Sequence, residues 1–407
     1  MEVNSKISEM SPWFLISLHL FMSLMMNAEA YTVHPDTYLN IVQLIQRYGY
    51  PVEVHEITTK DDYKLTMFRI PHGRGGSGVN RKPILLMHGL YGQAENFVVS
   101  GMDNASLAYY LADNNFDVWL GNTRGNQHSR KHRYLNPDEK KFWEFSYHEI
   151  GIYDLPAKID HILETTKKKK IYYVGHSQGG TSFYIMSSER PEYQEKIVMA
   201  SLLAPAGFMK HFRNPVLFPL VKMYRSLVQF FDTYFYELPP RSIPLPTFLN
   251  LICQERYFNK LCLAIYHIII NGGNSGEFNR RMLPLIMRFI PSVSVRQPLH
   301  YAQAIMSGRF RMWDYGQENM VRYKRIEPPE YDLKNITVPI AIYYSYGDNL
   351  VDTKDIDYIC EVLPNVVRKY LMPNPKWTHL DFIFAVNGQK HLHTPLLKFL
   401  EKFDKND

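Results

Sequence analysis

From about Val52 to Leu203, short apolar runs alternate with longer stretches whose apolar residues recur every three or four positions. Ile84 to Met87, Asp117 to Leu120, Ile171 to Val174 and Ile197 to Leu203 have the length and composition of buried strands. Asn104 to Asn114 and Ile150 to Thr165, which lie between them, have helical spacing. Strands separated by helices predict a mostly parallel sheet flanked by helices, because a parallel neighbour needs a long crossover. From Ala206 to about Val338 the pattern changes: Pro, Phe, Tyr, Met and Leu crowd into helix-length apolar stretches with few strand signals. Strand character returns at Pro339 to Tyr344 and again at Val366 to Leu371. The simplest reading is one α/β core interrupted by a helical insertion. Residues 31–205 form its first part, 206–338 the insertion and 339–407 its second part.

The first thirty residues stand apart. Trp13 to Met26 is a mostly apolar run followed by Ala28-Glu29-Ala30, a small-x-small cleavage signal, so residues 1–30 read as a secretory signal peptide. Its start is atypical, with Glu2 and Glu9 against a single Lys6. Ser17 and His19 interrupt a run already short of the roughly 20 apolar residues a span needs, which disfavours a membrane anchor. No later stretch is long and uninterrupted enough to cross a bilayer, so no transmembrane anchor is expected after signal removal.

Charge adds little. The formal net charge is +6, and the one dense basic run, Lys167 to Lys170, falls between a helix and a strand, where a solvated connection explains it. No basic stripe interleaved with aromatics points to nucleic acid. Three cysteines suit a secreted chain that relies on its core rather than on a disulfide framework. Cys253 and Cys262 are close enough to close a small loop, leaving Cys360 free. Asn104-Ala105-Ser106 and Asn335-Ile336-Thr337 are glycosylation acceptors if the chain enters the secretory route.

Chemistry concentrates at Ile171 to Gly180. A strand feeds straight into Gly175-His176-Ser177-Gln178-Gly179, and a helix follows, which is the strand, sharp turn and helix of a nucleophile elbow. Glycines are needed there because neighbouring backbone presses close on so tight a turn. A serine so placed needs a base, an orienting carboxylate and oxyanion donors, with the acid and then the base on loops after later strands. Asp348 follows the strand Ile340 to Tyr344, although Gly347-Asp348-Asn349 also resembles a capped turn and Asp352 and Asp355 lie close behind. His379 follows the strand Val366 to Leu371, with His391 and His393 as rivals in what reads as the terminal helix. One oxyanion donor should be the backbone N–H of Gln178. The other should follow an early strand, and Leu90, after His88-Gly89, is in place.

These residues resemble the acid lipase family, which includes gastric, lingual and lysosomal lipases and has the α/β-hydrolase fold. The likeness runs through Leu86 to Leu90, Gly121 to Asn126 with Ser129-Arg130, Phe142 to Ser146, Tyr153 to Ala157, Gly175 to Gly179, Ala204 to Ala206, Trp313 to Gly316 and His379 to Phe382. It implies Ser177 as nucleophile, Asp348 as acid, His379 as base, Leu90 and Gln178 as donors, and Cys253–Cys262 as a cap disulfide. It also makes the insertion a cap and lid over Ser177. There are departures: Asn349 replaces an apolar residue after the acid, the Asn usual before Asp348 is missing, and Asn374-Pro375-Lys376-Trp377 lengthens the approach to the histidine.

The resulting expectation is a secreted or lysosomal serine lipase. It would hydrolyse esters of neutral lipids, triacylglycerols or steryl esters, at a lipid–water interface through an acyl-enzyme, without metal or cofactor. Two alternatives stay open at this point: a carboxylesterase acting on short soluble esters, and a secreted lipid-binding protein without turnover. Preference between the lipid classes, chain length, pH optimum and oligomeric state are not written in the sequence.

Overall fold

A computed structural model of the protein describes residues 35–404, apart from 77, 79, 101–105, 243–247, 250–251, 254–255 and 275. The leader 1–30 and Asn104 lie outside the described residues. The first helix, α1 (Ile41–Arg47), begins at a capping box in which the Asn40 and Gln43 side chains each accept from the other's backbone N–H. The sheet then starts with β1 (Glu53–Thr58), β2 (Tyr63–Ile70) and β3 (Lys82–Met87). Helix α2 (Leu107–Asp113) leads to β4 (Phe116–Leu120), and a short β5 (Lys131–His132) pairs back on β2. Next come α3 (Leu155–Thr166), β6 (Ile171–His176), α4 (Gln178–Glu189) and β7 (Ile197–Leu203).

Strand order across the sheet is β1-β2-β4-β3-β6-β7, continued by two strands from the far end of the chain, β10 (Ile340–Tyr344) and β11 (Val366–Leu371). The first two strands are antiparallel to their neighbours and the rest are parallel. Between β7 and β10 lie α5 (Leu217–Lys222), α6 (Tyr224–Tyr234), β8 (Glu237–Leu238), α7 (Arg256–Asn271), α8 (Leu283–Arg288), β9 (Val293–Ser294) and α9 (Arg296–Ser307). The only sheet here among the described residues is the two-residue ribbon of β8 and β9. The core resumes with β10 (Ile340–Tyr344), α10 (Thr353–Val362), β11 (Val366–Leu371) and the terminal α11 (Thr394–Asp404).

The apolar runs are continuous because both sheet faces are covered. Ile84 and Leu86 of β3 pack with Val118, Leu120 and Val174 on one side. Leu85 and Met87 pack with Trp119, Tyr173 and Ile159 on the other, the alternation a strand imposes.

Behind the loop after β4 sits a buried ion cluster. Arg124 donates from Nε to Asp154 at 2.7 Å and forks onto both oxygens of Asp61 at 2.6 and 2.9 Å. Burial opposes its charge, but Asp154 and Asp61 more than offset this and raise its pKa.

Several expectations shift at their edges. The helix expected from Ile150 has a π-helical turn over Ile150–Asp154 before α3, and Pro156, tolerated only where its missing N–H is not required, sits at the start of α3. The helix expected over Asn104 to Asn114 is α2, beginning at Leu107. His391 and His393 lie in a π-helical turn before α11, and His393 is buried rather than exposed.

Candidate active site

The elbow is built by steric necessity. Ser177 has φ 52° and ψ −111°, a conformation rarely held by a residue with a side chain. It is fixed from both sides: Ser177 N–H donates to Leu203 O at 2.9 Å, and Gly180 N–H and Thr181 N–H donate to Ser177 O. A Cβ at Gly175 would meet the Gly179 carbonyl carbon at 2.6 Å, and one at Gly179 would meet Met87 O at 2.5 Å, so both positions exclude a side chain. Helix α4 begins at Gln178, earlier than the sequence pattern suggests, which puts its positive end directly behind the serine.

Gly89 lies against the elbow, close enough that a Cβ on it would be 3.0 Å from Ser177 Cβ. The turn it opens, which carries Leu90, is held by His88. The His88 ring donates from Nδ1 to Gly89 O at 2.8 Å while its Nε2 accepts from Thr123 N–H at 3.3 Å. Those partners require a neutral ring, and burial keeps it so by lowering its pKa to about 4.

Asp348 and His379 come from the loops after β10 and β11. His379 Nδ1 donates to Asp348 Oδ2 at 2.7 Å, and both side chains are buried. Asp348 Oδ1 accepts from Leu350 N–H at 2.8 Å and Val351 N–H at 2.9 Å. With the Nδ1 proton committed to Asp348, Nε2 is the ring nitrogen left to accept one. The rival acids are used elsewhere: Asp352 caps α10 and pairs with Arg213, and Asp355 pairs with His211. His391 and His393 belong to the terminal turn, with His391 against Trp377.

Two contributors escaped the sequence reading. His176, the variable residue of the motif, donates from Nε2 to His379 O at 3.0 Å and so ties the elbow to the histidine loop. Burial drives its pKa well below the usual value. Tyr301, on α9 of the insertion, hydrogen-bonds Thr181 Oγ1 at 2.8 Å, and Thr181 donates onward to Ala206 O at 2.6 Å. The histidine beside the nucleophile was a visible signal for the first; nothing local marked the second.

Cys253 and Cys262 are joined as a disulfide, Cys360 is free, and Asn335 is exposed. A surface cleft of about 490 Å³ between β1 and α3, lined in part by Glu56, Asp160 and Arg190, contains none of Ser177, Asp348, His379, Leu90 and Gln178. Among the described residues no group of His, Cys, Asp and Glu is placed to hold a metal ion, and no helix is long and apolar enough to cross a membrane.

Comparison with known proteins agrees with this architecture. Residues 41–101 match the family model for a partial alpha/beta-hydrolase lipase region, and residues 82–238 match that for the alpha/beta hydrolase fold. The chain is 42% identical to Lipase 1 of Drosophila melanogaster over 379 residues, covering 91% of this chain and 81% of that one. It is 35% identical to gastric triacylglycerol lipase of Bos taurus over 407 residues, covering 97% and 100%. Lipase member K of Homo sapiens is 34% identical over 97% of this chain and 100% of its own. Among solved structures, a lipase candidate from Sulfolobus solfataricus superposes with a TM-score of 0.58 at 15% identity, covering 86% of this chain and 94% of that one, a likeness of fold.

Proposed function

The chain belongs to the acid lipase family of α/β-hydrolases, and from that membership we propose that Ser177, His379 and Asp348 act as its catalytic triad. The protein is a carboxylic ester hydrolase of the lipase type. In the proposed mechanism His379 Nε2 takes the Ser177 proton as Oγ attacks the acyl carbonyl, and Asp348 holds the ring through Nδ1. The backbone N–H groups of Leu90 and Gln178 receive the oxyanion, aided by the start of α4. His379 then returns the proton to the departing alcohol. A water, deprotonated by His379 in turn, cleaves the acyl-enzyme, and the fatty acid leaves with Ser177 restored. The observation that carries this reading is the 2.7 Å bond between buried His379 and Asp348, delivered by separate loops, with His379 O bonded to the elbow through His176.

The substrates we propose are long-chain esters of neutral lipids, triacylglycerols or steryl esters, met at a lipid surface beneath a cap formed by residues 206–338. We place the enzyme in the secretory route, outside the cell or in the lysosome, starting near Tyr31 and glycosylated at Asn104, Asn335 or both. The three groups of the mechanism need no metal or cofactor.

The test compares wild type with Ser177→Ala on long-chain triacylglycerol, steryl ester and a short soluble ester, with covalent labelling by a phosphonate serine probe. Wild type should favour emulsified long chains and take the label. Ser177→Ala should fold, fail to label and lose all three activities. Turnover near the wild-type rate in that variant would refute the mechanism, and exclusive use of short soluble esters would make the protein a carboxylesterase.

A further inference from the structure

The loops that carry Asp348 and His379 both meet the same piece of the insertion, the chain leaving the C-terminal end of α7. Asn349 donates through its side chain to Asn271 O. Asn374 donates to Glu277 Oε1 at 2.6 Å. In the other direction Asn274 donates to Lys376 O at 2.9 Å, three residues before His379. At the centre is Asp381, whose Oδ2 accepts from Thr378 N–H at 2.6 Å and from Glu277 N–H at 3.0 Å. Gly276 packs so tightly against it that a Cβ would fall 2.0 Å from that oxygen. Phe278 then bridges to Ala385, just past the short helix Asp381–Phe384 that follows the histidine loop.

We propose that Asn271 to Asn274 and Gly276 to Asn279 form a strap from the cap that sets the relative position of the Asp348 and His379 loops, with Asp381 and Asn274 as its positioning residues. Neither touches the reacting atoms. They act through Thr378 and Lys376, the backbone on which His379 is carried. A 2.7 Å bond between side chains on two independent loops holds only if the loops keep their spacing, and each loop is short of regular structure of its own. The strap supplies that spacing from outside the sheet. The buried Asp381 would otherwise be costly: its burial raises its pKa to about 6, and the hydrogen bonds from the Thr378 and Glu277 N–H groups act against that rise. On this proposal the end of α7 is a fixed part of the cap, and any movable lid lies elsewhere in it.

This inference rests on the proposed triad, so the experiment includes His379→Ala. Wild type, Asp381→Ala, Asp381→Asn, Asn274→Ala and His379→Ala are compared for kcat and KM on a short soluble ester, for the rate of phosphonate labelling at Ser177, and for thermal unfolding. Because small displacements of a catalytic group carry a steep rate penalty, Asp381→Ala should lower kcat and the labelling rate by about tenfold with KM within about twofold. Asp381→Asn should retain most of the rate, since its carboxamide oxygen accepts the same two N–H groups. Asn274→Ala, at a half-exposed site, should lower kcat by about threefold without loss of folding. If Asp381→Ala does not fold, Asn274→Ala decides. A folded Asn274→Ala with wild-type kcat, a rise in KM alone, or an Asp381→Asn variant as impaired as Asp381→Ala would each overturn the strap. Full activity in His379→Ala would instead overturn the triad.

Discussion

The sheet and the insertion carry similar apolar side chains and treat them in opposite ways. Every residue of β4 and β6 is buried, whereas none of α5 is fully so: Leu217, Phe218 and Val221 are half-buried against the core and Leu220 is exposed. The contrast continues along the insertion: Met223, Phe230 and Tyr234 are exposed, as are Leu261, Ile265 and Ile268 on α7. In the core, apolar area is removed from water by the fold itself and fixes it. On the cap, a share is left for something else to cover, and exposed apolar faces of that kind mark interaction surfaces. Apolar residues therefore report stability in one region and, on the proposed function, contact with lipid in the other.

The core half of that contrast is tested most severely at Arg124. Replacing it by Met would keep the apolar stem, remove the guanidinium from over the Tyr63 ring and leave buried Asp154 and partly buried Asp61 without their cation. Breaking a buried pair from one side costs about 3–5 kcal/mol, and chemical denaturation should show a loss of that size. A loss below about 1 kcal/mol, the range of exposed pairs, would mean that the core depends far less on its buried network than its packing indicates.

The elbow was legible because part of its constraint is local: Gly175 presses on Gly179 within five residues, although Gly179 is also closed by Met87 of β3 and Ser177 is held by Leu203 of β7. The parallel strands were legible for a related reason, since burial on both faces leaves continuous apolar runs. Asp348 was less so. Asp352 and Asp355 have the same residue type in the same neighbourhood, and what separates the three is His379, Arg213 and His211, all distant in sequence. His379 had the same difficulty until the family pattern singled it out. Glu277 could not have been joined to Asp381 by any local pattern, because that bond crosses 104 residues, whereas the bond from Thr378 N–H to Asp381 spans only three. The two strands before β3 were not separately named either; β1 alternates burial along its length and lacks a continuous apolar signal.

A smaller effect should separate the cap from the core. The Cys253–Cys262 disulfide closes a loop at the start of α7, and loop-closure entropy for a ring of that size is worth about 2–3 kcal/mol. Replacing both cysteines by Ser should loosen the cap alone. Limited proteolysis should then cut within residues 206–338 while the fragment carrying the sheet keeps its melting temperature. A single transition, shifted for the whole chain, would show that cap and core unfold as one unit and that the two regions differ in surface only.

The smallest expected effect bears most directly on what the exposed cap face does. Leu261, Ile265 and Ile268 stand on one side of α7 at 55%, 47% and 52% exposure, while Leu263 and Tyr266 point inward and are buried. Changing the three outward residues to Ser removes apolar area on the order of 200 Å², about 5 kcal/mol at most if lipid covers all of it. Adsorption also costs motional freedom, so only a fraction of that figure should appear, and long-chain activity on an emulsion should fall about tenfold. Stability should hardly change, because these side chains already face water. The rate on a short soluble ester should stay at the wild-type value, since all three side chains face water. If emulsion and soluble rates fall together, the face supports the catalytic geometry rather than lipid contact. If the melting temperature drops instead, these residues belong with the buried apolar set, and the contrast between cap and core loses its physical basis.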